Sequence, residues 1–174
     1  MNISIFQPAQ TDSLVTLLEE LFSYYNPSEN ISSSLVREHL LTRILSKEAG
    51  LNLIVCSGSN GEALGFAAIG FVQSVVDPRP ENSKQCFLKE LYVSNEQRGS
   101  GVGRLIMEWV ADYAIKHGCA RIDWPVKSGN SGGRRFYESL GAKLVDDRLS
   151  YRISGDALAK LADAKLRHRA QIGS

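Results

Sequence analysis

No charge of either sign dominates this chain: 20 lysines and arginines stand against 19 aspartates and glutamates, a formal net charge of +1. Without a global field there is no electrostatic case for a nucleic-acid partner, and any charge selectivity has to be local. Long apolar runs are missing too. None approaches the roughly 20 residues that cross a bilayer, and the opening MNISIFQPAQTDS lacks the basic start and sustained apolar stretch of a signal peptide. No membrane partner is expected, and the expected location is cytoplasmic. Cys56, Cys86 and Cys119 sit in strand-like runs with none of the close spacings of zinc or redox pairs, so they read as buried thiols. His39, His117 and His168 form neither HxxxH nor HxH, which argues against a metal centre. Repeats and low-complexity linkers are absent as well. With 174 residues the chain suffices for one domain with a full core and is short for two, so residues 1–174 are read as a single domain.

What is present is a regular alternation of strand and helix patterns. ISIF predicts a strand, and TDSLVTLLEELFSYY a helix with Leu14, Leu17, Leu18 and Leu21 at helical spacing behind a Thr11/Asp12 cap. SSSLVREHLLTRIL predicts a second helix, with Val36, Leu40, Leu41 and Ile44 on one stripe and serines as N-caps. LNLIVCS and ALGFAAIGFVQSVV, separated by GSNG, predict an antiparallel hairpin, and DPRPENSK an exposed loop. QCFLKELYVS predicts a further strand. After it, Val102, Leu105, Ile106, Trp109, Val110 and Tyr113 mark the strongest helix, ended by Gly118. CARIDWPV reads as a buried strand, SGGRRFYESL as a short helix stopped by Gly141, and KLVDDRLSYRIS as a final hairpin-like pair. A last helix over 154–170, capped by Ser154, carries Leu158, Leu161, Ala162 and Leu166 on one side. The order predicts an α/β or α+β fold on one mixed sheet.

EQRGSGVGRLIMEWV joins the last long strand to the strongest helix. Strand, glycine-rich turn and helix together present open backbone N–H groups at a helix N-terminus, an arrangement suited to anionic phosphate. A Walker loop is excluded because no GxxxxGK[ST] occurs, and Gly99, Gly101 and Gly103 give GxGxG rather than the GxGxxG of dinucleotide-binding folds. The pattern satisfied is RxxGxG, by Arg98, Gly101 and Gly103. In SGNSGGRRFYESLGAK, Asn130, Gly133, Phe136, Tyr137, Leu140 and Gly141 fall at the spacing of NxxAxxFYxxxGF, with Gly133 in place of alanine and Ala142 in place of the final aromatic.

With these two segments in register, the chain resembles the GNAT superfamily of N-acetyltransferases over most of residues 1–153. The resemblance implies a mostly antiparallel central sheet flanked by helices, with splayed strands that hold acyl-CoA and 154–170 as an extension. It implies acetyl-CoA as acyl donor, its pyrophosphate wrapped by Arg98, Gly99, Ser100, Gly101, Val102, Gly103 and Arg104, where glycines let backbone amides approach without a Cβ in the way. Pantetheine would pair with Leu91, Tyr92 and Val93, one of whose amides would stabilise the oxyanion. Asn130 and Phe136 would contact the cofactor arm, although capping the short helix accounts for Asn130 comparably. Tyr137 takes the general-acid role in that family, consistent with a phenol pKa above that of a thiol.

Acetyl transfer to an amine needs a neutral nitrogen. An alkyl amine of pKa about 10.4 is neutral in roughly one molecule in a few thousand at pH 7, so deprotonation costs about 4 to 5 kcal/mol. Glu90, in LKELYV, is the best base by its place on the strand leading to the loop, and alternation puts it on the opposite face from Phe87, Leu91 and Val93. In the polyamine acetyltransferase branch a similarly placed acid acts through water or anchors a cationic amine; a glutamate paired across the sheet with lysine is the structural alternative. Asp123–Trp124 and the closing DRLSYRISGDALAKLA also resemble the diamine and polyamine branch. Against it, Leu91 follows Glu90 where that branch often has a second acid. Glu90, Trp124 and Tyr25 are the candidate substrate contacts, with residues 22–35 and 73–85 flanking the acceptor side. The expected reaction is direct attack by a small primary amine (a polyamine, diamine or amino acid) in a ternary complex. Acetylation of a protein or peptide, and a non-catalytic acyl-CoA sensor, are the alternatives. No cysteine lies near a histidine and the loop, which disfavours an acyl-cysteine route. Family habit and the apolar stripe of the last helix make a homodimer an expectation.

Overall fold

The structure is a computed structural model that describes residues 1–172. Two compact units form along the chain, residues 1–130 and the part from Ser131 onward. In the first, β1 (Asn2–Ile5) leads into α1 (Thr11–Tyr25) and α2 (Ser33–His39), then β2 (Leu51–Ser57), β3 (Ala63–Gln73), β4 (Lys84–Val93), α3 (Val102–Lys116) and β5 (Ile122–Asp123). The second holds α4 (Ser131–Ser139) and α5 (Gly155–Ile172). The fold is mixed α/β, with one five-stranded sheet in the order β1-β2-β3-β4-β5. The first four strands are antiparallel in sequence order, and β5 runs parallel to β4.

Both faces of the sheet are covered. Leu53, Val55, Phe66, Ala68 and Tyr92 are buried with Leu14, Val15 and Leu17 of α1 and Val36 of α2. The alternate residues Ile54, Cys56, Ala67 and Ile69 are buried on the opposite face, where α3 packs through Val102, Ile106 and Val110. A Cβ on Gly65 would stand 2.8 Å from the Tyr92 carbonyl oxygen of β4 and 3.1 Å from Val102 Cγ1 of α3, which packs closely on the sheet there. Gly65→Ala is therefore expected to destabilise the protein by about 1–3 kcal/mol, the cost of overpacking a filled core. Urea titration at constant m-value would show it, and an unchanged midpoint would contradict the close approach.

Several local expectations are revised. Thr11 and Asp12 do not cap α1. A 3₁₀ turn, Pro8–Gln10, runs into the helix, Gln10 occupies the N-cap position, and the Thr11 hydroxyl donates back to the Pro8 carbonyl at 2.7 Å. Ser32 does cap α2, its Oγ accepting from Leu35 N–H, but the helix changes to a π turn over Leu40–Ile44 instead of continuing regularly. The strand expected in CARIDWPV is only Ile122–Asp123 and is half-buried; Pro125, just beyond, has no N–H to extend a ladder. The hairpin expected over KLVDDRLSYRIS does not form. Residues 143–153 are exposed and belong to no strand, because Leu144–Val145 and Asp146–Asp147 break the period of two and no Asn-Gly or Asp-Gly pair supplies the turn. α5 begins at Gly155, not Ser154, and its Leu158 and Leu161 are exposed. The side chains of Leu166 and His168 lie outside the described residues. Cys56, Cys86 and Cys119 are buried thiols, as read from the sequence.

Candidate active site

Two features of unit one converge on β4. The first is a cavity of about 670 Å³ between α1, α2 and the sheet. Leu18, Leu21 and Phe22 of α1, Ile31 and Leu35 beyond it, and Phe66 of β3 line its walls, while Tyr25, Lys89 and Glu90 supply polar groups. Lys89 and Glu90 are consecutive, and in a regular strand they would point to opposite faces. Here the ladder between β3 and β4 slips: Ala68 pairs with Glu90 and Ile69 with Leu88, leaving Lys89 as an extra residue. That β-bulge re-aims the side chains beside it. It also corrects the expected facing of β4. Glu90 does oppose Leu91 and Val93, but Phe87 pairs with Gly70 and, with the parity shifted by one, falls on the same face as Glu90.

Tyr25, from the last turn of α1, donates to Glu90 at 3.4 Å from both carboxylate oxygens. Burial pushes the Glu90 carboxyl above its ordinary value; the Tyr25 hydroxyl, the Leu91 N–H, Lys89 and Lys127 each pull it partly back. Burial, then the neighbouring carboxylate, push the Tyr25 phenol up in turn. Lys127 Nζ stands 4.2 Å from the centre of the Tyr25 ring. Tyr25→Phe removes a hydrogen bond that favours ionised Glu90, so the acidic limb of kcat/KM for an amine is expected to move to higher pH. Its KM should rise about 2- to 13-fold, as about 0.5–1.5 kcal/mol of hydrogen bond predicts. An unmoved limb would separate Tyr25 from the titrating group.

The second feature is the open edge of β4 and the loop after it. β5 pairs with β4 only at Cys86 and Phe87, so among the described residues Leu88–Val93 has no partner strand on that side. Gly99 and Gly101 hold φ of 80° and 91°, a region costly for any residue with a Cβ, and nothing lies within 4 Å of where a Cβ would stand on either. Gly101 is the N-cap of α3 and offers no side-chain cap to the first-turn N–H groups. Bare, unobstructed backbone at a helix N-terminus fits a diphosphate, and an unpaired strand edge fits the amides of a pantetheine arm.

The remaining expected residues divide. Val102 is fully buried and Tyr92 nearly so, its hydroxyl donating to Glu20 at 3.1 Å; each has only backbone to offer at the edge or loop. Arg98 is turned back toward β4, its guanidinium 5.6 Å from the Tyr92 ring and 6.0 Å from that of Tyr24. Ser100 Oγ donates to the Gln97 carbonyl at 2.6 Å, closing the loop on itself. Gly103 lies in the first turn of α3, and Arg104 there is exposed. Asn130 is exposed, and Trp124 is half-buried but does not line the cavity. Residues 73–85, expected on the acceptor side, do not line it either. Phe136 and Tyr137 are half-buried on α4, their rings 5.1 Å apart, and the Tyr137 carbonyl accepts from Leu140 and Ala142 N–H as the helix ends. Lys89, Lys127 and the α2 residues beyond Leu35 were not anticipated. Nothing local signals them, because a bulge between two buried faces leaves no break in hydrophobicity.

Comparison with known proteins bears on the fold and the family. The V. cholerae integron cassette protein VCH_CASS6 superimposes with a TM-score of 0.84 at 31% identity, over 92% of this chain and 96% of that one. The thialysine N-epsilon-acetyltransferase of Bos taurus is 24% identical over 155 residues, 86% of this chain and 90% of that protein. Its Mus musculus counterpart is 29% identical over 105 residues, 59% of this chain, and the match spans only 62% of that protein. The L-ornithine N5-acetyltransferase NATA1 of Arabidopsis thaliana is 32% identical over 72 residues, 41% of this chain and 32% of that one. Residues 14–142 match the acetyltransferase (GNAT) family, a span that takes in the cavity, the open edge of β4, the glycine loop and α4, and the chain belongs to that family.

Proposed function

We propose that this chain transfers the acetyl group of acetyl-CoA to a primary amine of a small molecule, by direct attack in a ternary complex. The observation that carries it is the Glu90–Tyr25 pair, set at a partly open cavity beside the open edge of β4. Acetyl-CoA, when bound, supplies the thioester carbonyl as acyl donor. Leu91 to Val93 offer backbone groups along the open edge, and Gly99 to Arg104 offer the N–H groups of the loop and of the α3 start. Glu90 holds the incoming ammonium and accepts its proton; Tyr25 orients that carboxylate. As the C–N bond forms and the C–S bond breaks, Tyr137 gives a proton to the departing sulfur, and the nitrogen's remaining excess proton passes to solvent. A raised carboxyl suits the base, because its proton affinity moves toward the operating pH.

Polyamines, diamines and amino acids are the acceptor classes that the DW pair and the closing segment suggest. The relatives named for thialysine and ornithine are of that kind. Residues 1–174 are proposed to act as one acetyltransferase domain, since the family match runs across both compact units, in the cytoplasm and as a homodimer. Release of coenzyme A thiol across a panel of amines, amino acids and peptides tests the activity. Turnover of peptides but of no small amine would reverse the acceptor class.

A further inference from the structure

The cavity beside Glu90 carries more information about the acceptor than the relatives do. Its inner walls are leucine, isoleucine, valine and phenylalanine from α1, α2 and the sheet, and Glu90 is the single carboxylate among its lining residues. The other polar groups bring no negative charge. Asn26 spends its side-chain N–H on the Phe22 carbonyl at 3.0 Å, and Tyr25 is a donor to Glu90. His39 and Lys89 are the remaining polar members of the wall, and Lys127 stands over Tyr25. A buried ammonium needs a carboxylate or its equivalent. The cavity holds one such partner, with two lysines close to it. A second ammonium carried into the apolar interior formed by Val36, Leu53, Phe66 and Ala68 would therefore have no counter-ion, and one held at the exposed mouth would meet like charge at the lysines. An apolar body meets a matching surface, in a volume within the range of about 300–1,000 Å³ usual for small-molecule sites.

We propose that the acceptor is a monocationic primary amine with an apolar alkyl or arylalkyl body, its ammonium on Glu90 and Tyr25 and its body between α1 and α2. The inference rests on the reading of this cavity as the acceptor site of an acetyltransferase. It reverses the preference for polyamines that the closing segment suggests. Selectivity then comes from the absence of a second acid inside the cavity, and it excludes diamines of the same length by leaving one charge unpaired.

The test uses matched pairs on the full chain: propylamine, hexylamine, phenethylamine, 1,6-diaminohexane and spermidine, by coenzyme A release and, without acetyl-CoA, by calorimetric binding. Hexylamine is expected to exceed 1,6-diaminohexane at least tenfold in kcat/KM. The gain from propylamine to hexylamine should be about fourfold per methylene. Equal or better use of the diamine or spermidine would overturn the inference and leave the acetyltransferase reading standing. If no amine released coenzyme A, that reading would fall; calorimetric preference for hexylamine would still support the assignment of the cavity, and no preference would overturn it. Leu35 lines the cavity yet is 54% exposed, so Leu35→Glu can add a second acid at little risk to folding. It should shift the ratio toward 1,6-diaminohexane by about tenfold or more, the effect of a counter-ion for the second charge. A ratio that did not move would remove the amine's body from this cavity.

Discussion

Replacing Glu90 by glutamine is expected to lower kcat/KM for the amine by about 10²- to 10⁴-fold, the range over which a positioned base acts. The amide keeps the size of the side chain and can still accept from Tyr25, so the walls of the cavity are undisturbed. What disappears is a group that both attracts an ammonium and takes its proton. Because burial holds the Glu90 carboxyl above its ordinary value, wild-type kcat/KM should fall as pH drops through that raised value. The variant should lack that limb and retain only the titration of the amine itself. A variant with the wild-type limb would show that another group titrates.

The same substitution makes a second, opposite prediction. A carboxyl whose pKa is raised on folding binds its proton more tightly in the native state than in the unfolded chain. Its contribution to stability is fully present below the unfolded value, about 4.3 for a glutamate, and is lost as pH rises through the native value. Glutamine does not ionise and loses nothing over that interval. The Tm of Glu90→Gln relative to wild type should therefore increase from pH 4 toward neutrality, while activity falls. Parallel Tm curves at every pH would mean that Glu90 is as well solvated as in the unfolded chain.

Tyr137→Phe is expected to reduce kcat by about 10²-fold or more, as loss of a general acid does, with KM for acetyl-CoA within about threefold of wild type. A phenol keeps its proton at neutral pH and so has one to give to the sulfur as it departs. Phenylalanine keeps the ring beside Phe136 and the backbone carbonyl that closes α4 onto Leu140 and Ala142. An unchanged Tm would accordingly exclude misfolding as the cause. If turnover were the same in both proteins across pH, Tyr137 would be a packing residue and the proton donor would lie elsewhere.

Local patterns were enough for most of the elements. Leucines at helical spacing located α1, the residues after the glycines located α3, and LNLIVCS and ALGFAAIGFVQSVV gave an antiparallel pair in the right order. The glycines also marked unusual backbone: Gly101 of RxxGxG and Gly99 just before it hold a left-handed φ, while Gly103 lies in the first turn of α3. Patterns failed where a segment depends on a distant partner. β5 stops after two residues, and residues 143–153 form no strand although Leu149, Tyr151 and Ile153 alternate. Alternation describes a strand's two faces but does not provide the neighbour whose N–H and C=O groups it needs.

The sequence by itself therefore determined the family, the acyl donor that the family uses, and Glu90 as the acid on the strand before the loop. Each is written in residues close together in the chain, where spacing translates directly into backbone geometry. Only the tertiary structure decided which groups surround that acid. Tyr25 reaches Glu90 across 65 positions of sequence, and the bulge that turns Lys89 and Glu90 into one cavity is a property of the pairing of β3 with β4. That Glu90 is the single carboxylate lining the cavity follows from how α1 and α2 pack over the sheet. No periodicity records that packing, because it is set by contacts between segments and not within them.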